Sequence, residues 1–467
     1  MKKFFVFFMI AIFALTPLLA GCGSAELNRE DELNSSLEST YEELSATFSG
    51  ETGQYDLVAE YLNSWASKNE ITISANKESY MVLENPATEG ADKAGSTAIQ
   101  CSIDTNSLGR SIQSLAISLT ALLGPLEHGD IALIVTETND GEYTGAAAID
   151  TKYLEYDNFI NMTQNDDVEL YTAGSYAATA SMTTELSAAE PYYSNAYEIT
   201  MRISGYHDPF NIKDTDYPNP VEVIGNLLAS EKSSGQLFQL ASFNCEAKDG
   251  YIPTSATAVV VVDSNDISSF EKRFRSSYNN MKNRFEKLED NFVYTLTATD
   301  LPSTVISNET SDNIISLMYT LKTGTYLQDE ESGEIVALSE ISNVSTSDGS
   351  FNLQTAMRSI DETVINEMAE VFLTTSGLCN IDFSISDTNS TWPSKDNKAL
   401  AAYFTEALGA EETIFESTLE SSECDVLSAK APLNMISYQC NIHHGEAALS
   451  NICSFLESLT LSTAEQQ

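Results

Sequence analysis

Apolar residues recur at Leu57, Val58, Tyr61, Leu62 and Trp65, a spacing that predicts a helix over 56–66. The apolar runs Thr97–Cys101 and Ile131–Thr136 read as buried strands, and Ile112, Leu115, Ala116, Leu119 and Leu122 mark a helix between them. Strand, helix, strand in this order predicts a βαβ unit and a largely parallel sheet. From about Ala177 the texture changes. Strands are expected at Tyr197–Ile203, Ala256–Val262 and Phe351–Ala356, alternating with helices near 220–229, 267–288 and 361–373. A strand-like stretch near 379–392 precedes helices at about 397–408 and 445–459. The simplest architecture is α/β, with one α/β domain split by an α+β insertion. Its first part is expected over 41–176, the insertion over 177–376 and the second part over 377–467. Nothing repeats at a solenoid period.

The N-terminus follows a different logic. Lys2 and Lys3 precede the apolar run Phe4 to Leu15, and Leu19-Ala20-Gly21-Cys22 follows. A charged start and a short apolar core are the marks of an export signal over residues 1–21. The last four residues resemble a lipobox, in which Cys22 takes a diacylglyceryl group and becomes the mature N-terminus. The apolar run is short for a membrane span, and no later stretch is long and apolar enough to cross a bilayer. Residues 22–40, rich in Ser, Asn and Glu, are expected to be a tether. The expected location is the extracytoplasmic face of a bacterial membrane, held by the lipid on Cys22.

With 467 residues the chain has material for two or more domains, and its 69 acidic against 23 basic residues give a formal charge of −46. Such a field repels nucleic acid and anionic lipid headgroups, so no nucleic-acid partner is expected. The densest basic stretch comprises Lys272, Arg273, Arg275, Lys282, Arg284 and Lys287. It shares a predicted helix with the apolar stripe Phe270, Phe274, Tyr278, Met281 and Phe285, which makes the charges its solvated face. Six cysteines follow Cys22, at 101, 245, 379, 424, 440 and 453, with no Cys-x-x-Cys pair. Buried free thiols are expected, and Cys440–Cys453 is the one pair that merits a test for a disulfide.

Several landmarks, in order, resemble the cytosolic non-specific (aminoacyl-histidine) dipeptidases of metallopeptidase family 20. Pro86-Ala87-Thr88-Glu89-Gly90 stands where that family has Pro-Ala-Thr-x-Gly. Ile160-Asn161 with Glu169-Leu170-Tyr171, Asn244 with Ile252-Pro253, Arg358-Ser359 and Glu423-Cys424 follow at matching spacing. The resemblance implies a split α/β domain with an inserted lid, a homodimer formed through that lid, and two zinc ions held by five side chains beside a glutamate general base.

Position by position, the zinc set is replaced. The family's Gln-Ala-His-Leu-Asp is Gln100-Cys101-Ser102-Ile103-Asp104 here, which puts a serine where a histidine ligand is implied. The bridging aspartate falls on Ser111, beside Arg110. The Glu-Glu pair falls on Asn139 and Asp140, so an amide takes the place of the base. Another aspartate falls on Thr163, and the loop carrying the last histidine is missing between Ile442 and Glu446. Zinc prefers imidazole, carboxylate or thiolate donors, and one carboxylate cannot hold two ions. Both zinc ions are therefore expected to be lost, leaving no metal and no cofactor.

Among the four histidines, His128 is expected at the surface or in a turn. His207 lies near the lid histidine that the resemblance places over a substrate carbonyl, and Asp214 falls where a second lid histidine is implied. Arg358 matches a lid arginine that grips a substrate carboxylate, a task suited to a guanidinium fork. His207 and Arg358 are thus the candidate ligand-binding residues. The leading reading is an inactive peptidase homologue at the cell surface that binds a peptide or protein. Two alternatives stay open: a repurposed metal-dependent hydrolase built on Asp140, Glu423, His443 and His444, and a purely structural surface lipoprotein.

Overall fold

The computed structural model describes residues 22–48, 54–139, 143–210, 217–248, 251–285, 292–330, 333–386, 388–393, 395–409, 414–415 and 417–464. The expected signal peptide over 1–21, and with it Asp140, Asp214 and Lys287, lies outside the described residues. The chain is a mixed α/β structure of two compact units. One comprises residues up to 173, then 392–416 and 422–467; the other comprises 174–391 and 417–421.

The first unit is built on an eight-stranded sheet. Its order is Thr72–Asn76, Tyr80–Asn85, Ile131–Thr138, Thr97–Asp104, Asn158–Thr163, Met435–Gln439, Glu169–Tyr171 and Ile414–Phe415. The predicted βαβ unit is present: Thr97–Asp104 and Ile131–Thr138 pair in parallel, joined by the helix Leu108–Leu123. Asn158–Thr163 extends the parallel run on the other side, with Gln100 opposite Asn161. Alternation along these strands divides the core in two. Ile99, Cys101, Ile103, Leu133, Val135, Ile160, Met162, Ile436 and Tyr438 face one layer, which also contains residues of helices Tyr55–Lys68, Leu108–Leu123 and Gly445–Ala464. Ala98, Ala132, Ile134, Phe159 and Met435 face the other, with Trp392 and Leu427.

The expected tether is not one. Residues 22–48 form a single helix, with Leu37, Leu44 and Phe48 buried in the first core layer and Leu33 and Tyr41 packed against it. These five residues recur at helical spacing, and burying each large apolar side chain is worth roughly 1.5–3 kcal/mol, which the Ser, Asn and Glu content had masked. Arg29 on this helix pairs with Glu457 on the last helix. Gly445 permits the close approach: a Cβ there would lie 3.0 Å from Leu37 and 3.3 Å from Ile117.

The second unit holds two larger antiparallel sheets. One runs Phe238–Glu246, Ser255–Val262, Asn195–Arg202, Val293–Ala298. The other runs Gly324–Gln328, Ile335–Ser347, Ser350–Ser359, Tyr176–Glu185, Asp382–Ile385, with Asn389–Ser390 also on Tyr176–Glu185. The insertion was expected to end at 376, but those last two strands hydrogen-bond to Tyr176–Glu185 and carry the second unit to residue 391. Three of its helices start at side-chain caps, where Asn219, Ser307 and Asp361 accept from the amides of Val221, Thr310 and Thr363. All six cysteines after Cys22 are free thiols, Cys440 and Cys453 among them.

Candidate functional site

On the second face of the first unit's sheet, the C-terminal halves of three parallel strands turn polar: Gln100 and Ser102, Thr136, then Asn161 and Thr163. Ser437 joins them from the next strand. A chain of hydrogen bonds links these side chains. Thr163 and Ser437 donate to Asn161 Oδ1 at 2.9 and 2.8 Å. Asn161 Nδ2 donates to Gln100 Oε1, and Gln100 Nε2 donates both to Thr136 Oγ1 (2.8 Å) and to Glu423 Oε2. Thr136 Oγ1 donates onward to Glu423 Oε1 at 2.8 Å, and Ser102 also hydrogen-bonds the Glu423 carboxyl.

Glu423 is the hub and is 4% exposed. It opens the helix Glu423–Lys430, whose start is fixed by a capping box between Ser422 and Asp425. Burial away from water pushes the Glu423 carboxyl up to about 7, against the pull of its hydrogen bonds from Thr136, Gln100 and Ser102. Every polar group of the network thus has a partner within the protein, which is the condition under which such groups can be buried at all.

No family model matches the sequence, and no curated protein matches it. Solved structures do. Aminoacylhistidine dipeptidase from Vibrio alginolyticus matches with a TM-score of 0.53 at 15% identity, over 91% of this chain and 96% of that one. A tripeptidase from Staphylococcus aureus (TM-score 0.47, 12% identity) and aminopeptidase PepT from Bacillus cereus (0.46, 11%) each cover 91% of this chain and 98% of their own. The chain has a dipeptidase fold. The landmarks that resemble metallopeptidase family 20 therefore sit on an architecture of that kind.

A dipeptidase fold raises the question of two zinc ions, and the donors at the implied positions do not fit them. Ser102 is tied to Glu423. Ser111 Oγ accepts from the amide of Asp104 at 2.9 Å and secures the turn into the helix Leu108–Leu123. Asn139 is exposed and accepts from Asn106 at 2.6 Å, and Thr163 donates to Asn161. These are neutral hydroxyls and an amide already committed to protein partners, and zinc is held by none of those groups in ordinary sites. Asp140 lies outside the described residues. Among the described residues no three His, Cys, Asp or Glu side chains gather as a metal-holding group. Arg110 is exposed and pairs with Asp166 at 3.1 Å. Asp104 accepts from the amide of Asn106 at 2.9 Å, a local turn bond.

Among the described residues, the alternative cluster is not assembled. Glu423 is buried against the polar face of the sheet, whereas His443 and His444 are exposed in a turn before the helix Gly445–Ala464, which packs in the opposite layer. In the second unit, Arg358 donates to the carbonyl of Leu419 at 3.1 Å and lies 4.7 Å over the ring of Phe210. His207 bonds the carbonyl of Ser204 at 2.9 Å and stacks on Tyr217. His128, expected at the surface or in a turn, is instead buried at 4% exposure in the loop before the strand Ile131–Thr138, with Nδ1 against the carbonyl of Gly129 and Nε2 facing Asn85. Those contacts supply both ring nitrogens, so the imidazole is satisfied without a ligand.

Gln100, Thr136, Asn161 and Ser437 were not singled out from the sequence as a site. Their signal was present: polar side chains at alternate positions in otherwise apolar strands. What the sequence lacked was the register that sets Gln100 opposite Asn161 and Asn161 opposite Ser437.

Proposed function

We propose that this protein is a lipid-anchored homologue of the two-zinc dipeptidases that has lost zinc and hydrolytic activity and acts by binding a peptide or protein. The observation that carries the reading is the closed network around Glu423. Ser102, Ser111, Asn139 and Thr163, which would have to surrender their hydrogen bonds to reach a metal, occupy the implied ligand and base positions, and the Glu423 carboxyl beside Ser102 is itself engaged by Gln100, Thr136 and Ser102. Without a metal-activated water and without a base at Asn139, neither main contribution to water attack on a peptide carbonyl is available. Anchoring through Cys22 is part of the same proposal and places the protein at the extracytoplasmic face of a bacterial membrane. Hydrolysis assays on a dipeptide panel with added zinc, manganese or cobalt test it. The expected result is turnover indistinguishable from buffer; metal-dependent turnover abolished by Glu423→Gln would favour the repurposed hydrolase instead.

A further inference from the structure

The second unit contains a cavity of about 830 Å³ between the helices Pro220–Ser233 and Ile267–Phe285, with Glu340 of the strand Ile335–Ser347 and Thr323–Gly324 completing its lining. Its charges are segregated by element. Glu222 and Glu340 supply two carboxyl groups, near enough that the charge of Glu222 disfavours a charge on Glu340. The helix Ile267–Phe285 supplies Lys272, Arg273 and Arg284. That helix carries five of the chain's 23 basic residues; Lys272, Arg275, Lys282 and Arg284 are exposed, the solvated face expected from sequence, and Lys272, Arg273 and Arg284 also line the cavity. Arg273 is held by the fully buried carboxyl of Glu231 at 3.2 Å, which leaves Lys272 and Arg284 as the exposed cations of the lining.

The carboxyl pair is costly as it stands. Burial raises both groups above the ordinary glutamate range, and the charge of Glu222 raises Glu340 further. Asn219 Nδ2 donates to Glu340 at 2.6 Å and Thr323 hydrogen-bonds Glu222, yet Glu222 Oε1 is buried without any hydrogen-bond partner. An orphaned buried carboxylate oxygen on a cavity wall calls for a donor that is not part of the chain. A divalent cation is a poor candidate, because only two carboxyl groups converge, too few oxygen donors for calcium. An ammonium group fits better, since it brings three donors and one positive charge to two acceptors.

We propose that this cavity binds a small zwitterion of amino-acid or dipeptide size, its ammonium group between Glu222 and Glu340 and its carboxylate toward Arg284. Val223, Leu227, Met281 and Phe285 add apolar surface for the rest of the molecule. The proposal specifies the binding reading given above and rests on it for the ligand class, but not on the fate of zinc.

The test is isothermal titration of the full mature chain with alanyl-alanine, alanyl-lysine and alanyl-phenylalanine, each also as its N-acetyl and C-amide derivative. At least one free dipeptide is expected to bind. N-acetylation, Glu340→Gln and Arg284→Ala should each weaken it about tenfold or more, while Lys282→Ala, exposed on the same helix and outside the lining, leaves it unchanged. Glu340→Gln is also expected to raise the melting temperature of the ligand-free protein, because it relieves a like-charge pair; that separates lost binding from lost folding. No binding by any free dipeptide at millimolar concentration overturns the proposal, as does calcium binding at this pair. Binding that survives Glu340→Gln but is lost in Arg358→Ala also overturns it, while leaving the peptide-binding reading intact. Dipeptide hydrolysis would contradict the inactive-homologue reading alone.

Discussion

Replacing Glu423 by Gln removes one ionisable group from the centre of the buried network and keeps its shape. In the folded protein the carboxyl titrates at about 7, against roughly 4.3 in an unfolded chain. At about 1.36 kcal/mol for each tenfold change in proton affinity, the difference amounts to roughly 4 kcal/mol. Its sign follows from proton counting. Between pH 4.5 and 7 the folded state holds a proton that the unfolded state has released, so the contribution of Glu423 is full below pH 4.5 and is lost as pH rises through 7. The amide cannot titrate, and while its oxygen accepts from one of the two donors, Gln100 and Thr136, its NH₂ group confronts the other, at a cost of about 1 kcal/mol. The variant should therefore be less stable than the parent at pH 4.5 and equal or more stable at pH 8. Chemical unfolding followed by tryptophan fluorescence reads this cleanly, because Trp65 and Trp392, the chain's two tryptophans, both belong to the first unit. A stability difference that stays constant from pH 4.5 to 8 would refute the reasoning. Glu423 would then ionise as freely as in water, and the polar face would be an open, solvated site rather than a closed network.

Leu44→Ala should destabilise the first unit by about 2–4 kcal/mol, because Leu44 is fully buried on the helix Cys22–Phe48; urea unfolding that shows no change would return that segment to a tether. Radioactive palmitate fed to cells expressing the full chain should label the parent and not Cys22→Ala, with equal labelling of both excluding the lipid anchor. Trypsin should spare the helix Cys22–Phe48 at Arg29 in the native protein, where that side chain pairs with Glu457, and rapid cleavage there would contradict the docking.

The legible parts of the fold were those that repeat locally. The apolar strands around Gln100 and Leu133 and the helix between them followed from period and β-branched content, and their parallel pairing from the intervening helix. The helix Cys22–Phe48 was misjudged because composition was weighed above the spacing of Leu33, Leu37, Tyr41, Leu44 and Phe48. Asp382–Ile385 was assigned to the wrong unit because a four-residue strand carries no sign of which sheet it joins; only its pairing with Tyr176–Glu185 decides that. At the site, the substitution of zinc donors was visible as residue types, one position at a time. That Ser102, Thr163 and Glu423 would be gathered into one hydrogen-bonded system depended on contacts between distant segments, as did the meeting of Glu222 with Glu340.

The central claim is that the scaffold of a zinc dipeptidase persists without the capacity to hold zinc. Saturation of the purified protein with zinc, gel filtration and elemental analysis measures that capacity directly. The account predicts far less than one zinc ion per chain, unchanged by Glu423→Gln; close to two tightly held ions per chain would contradict it.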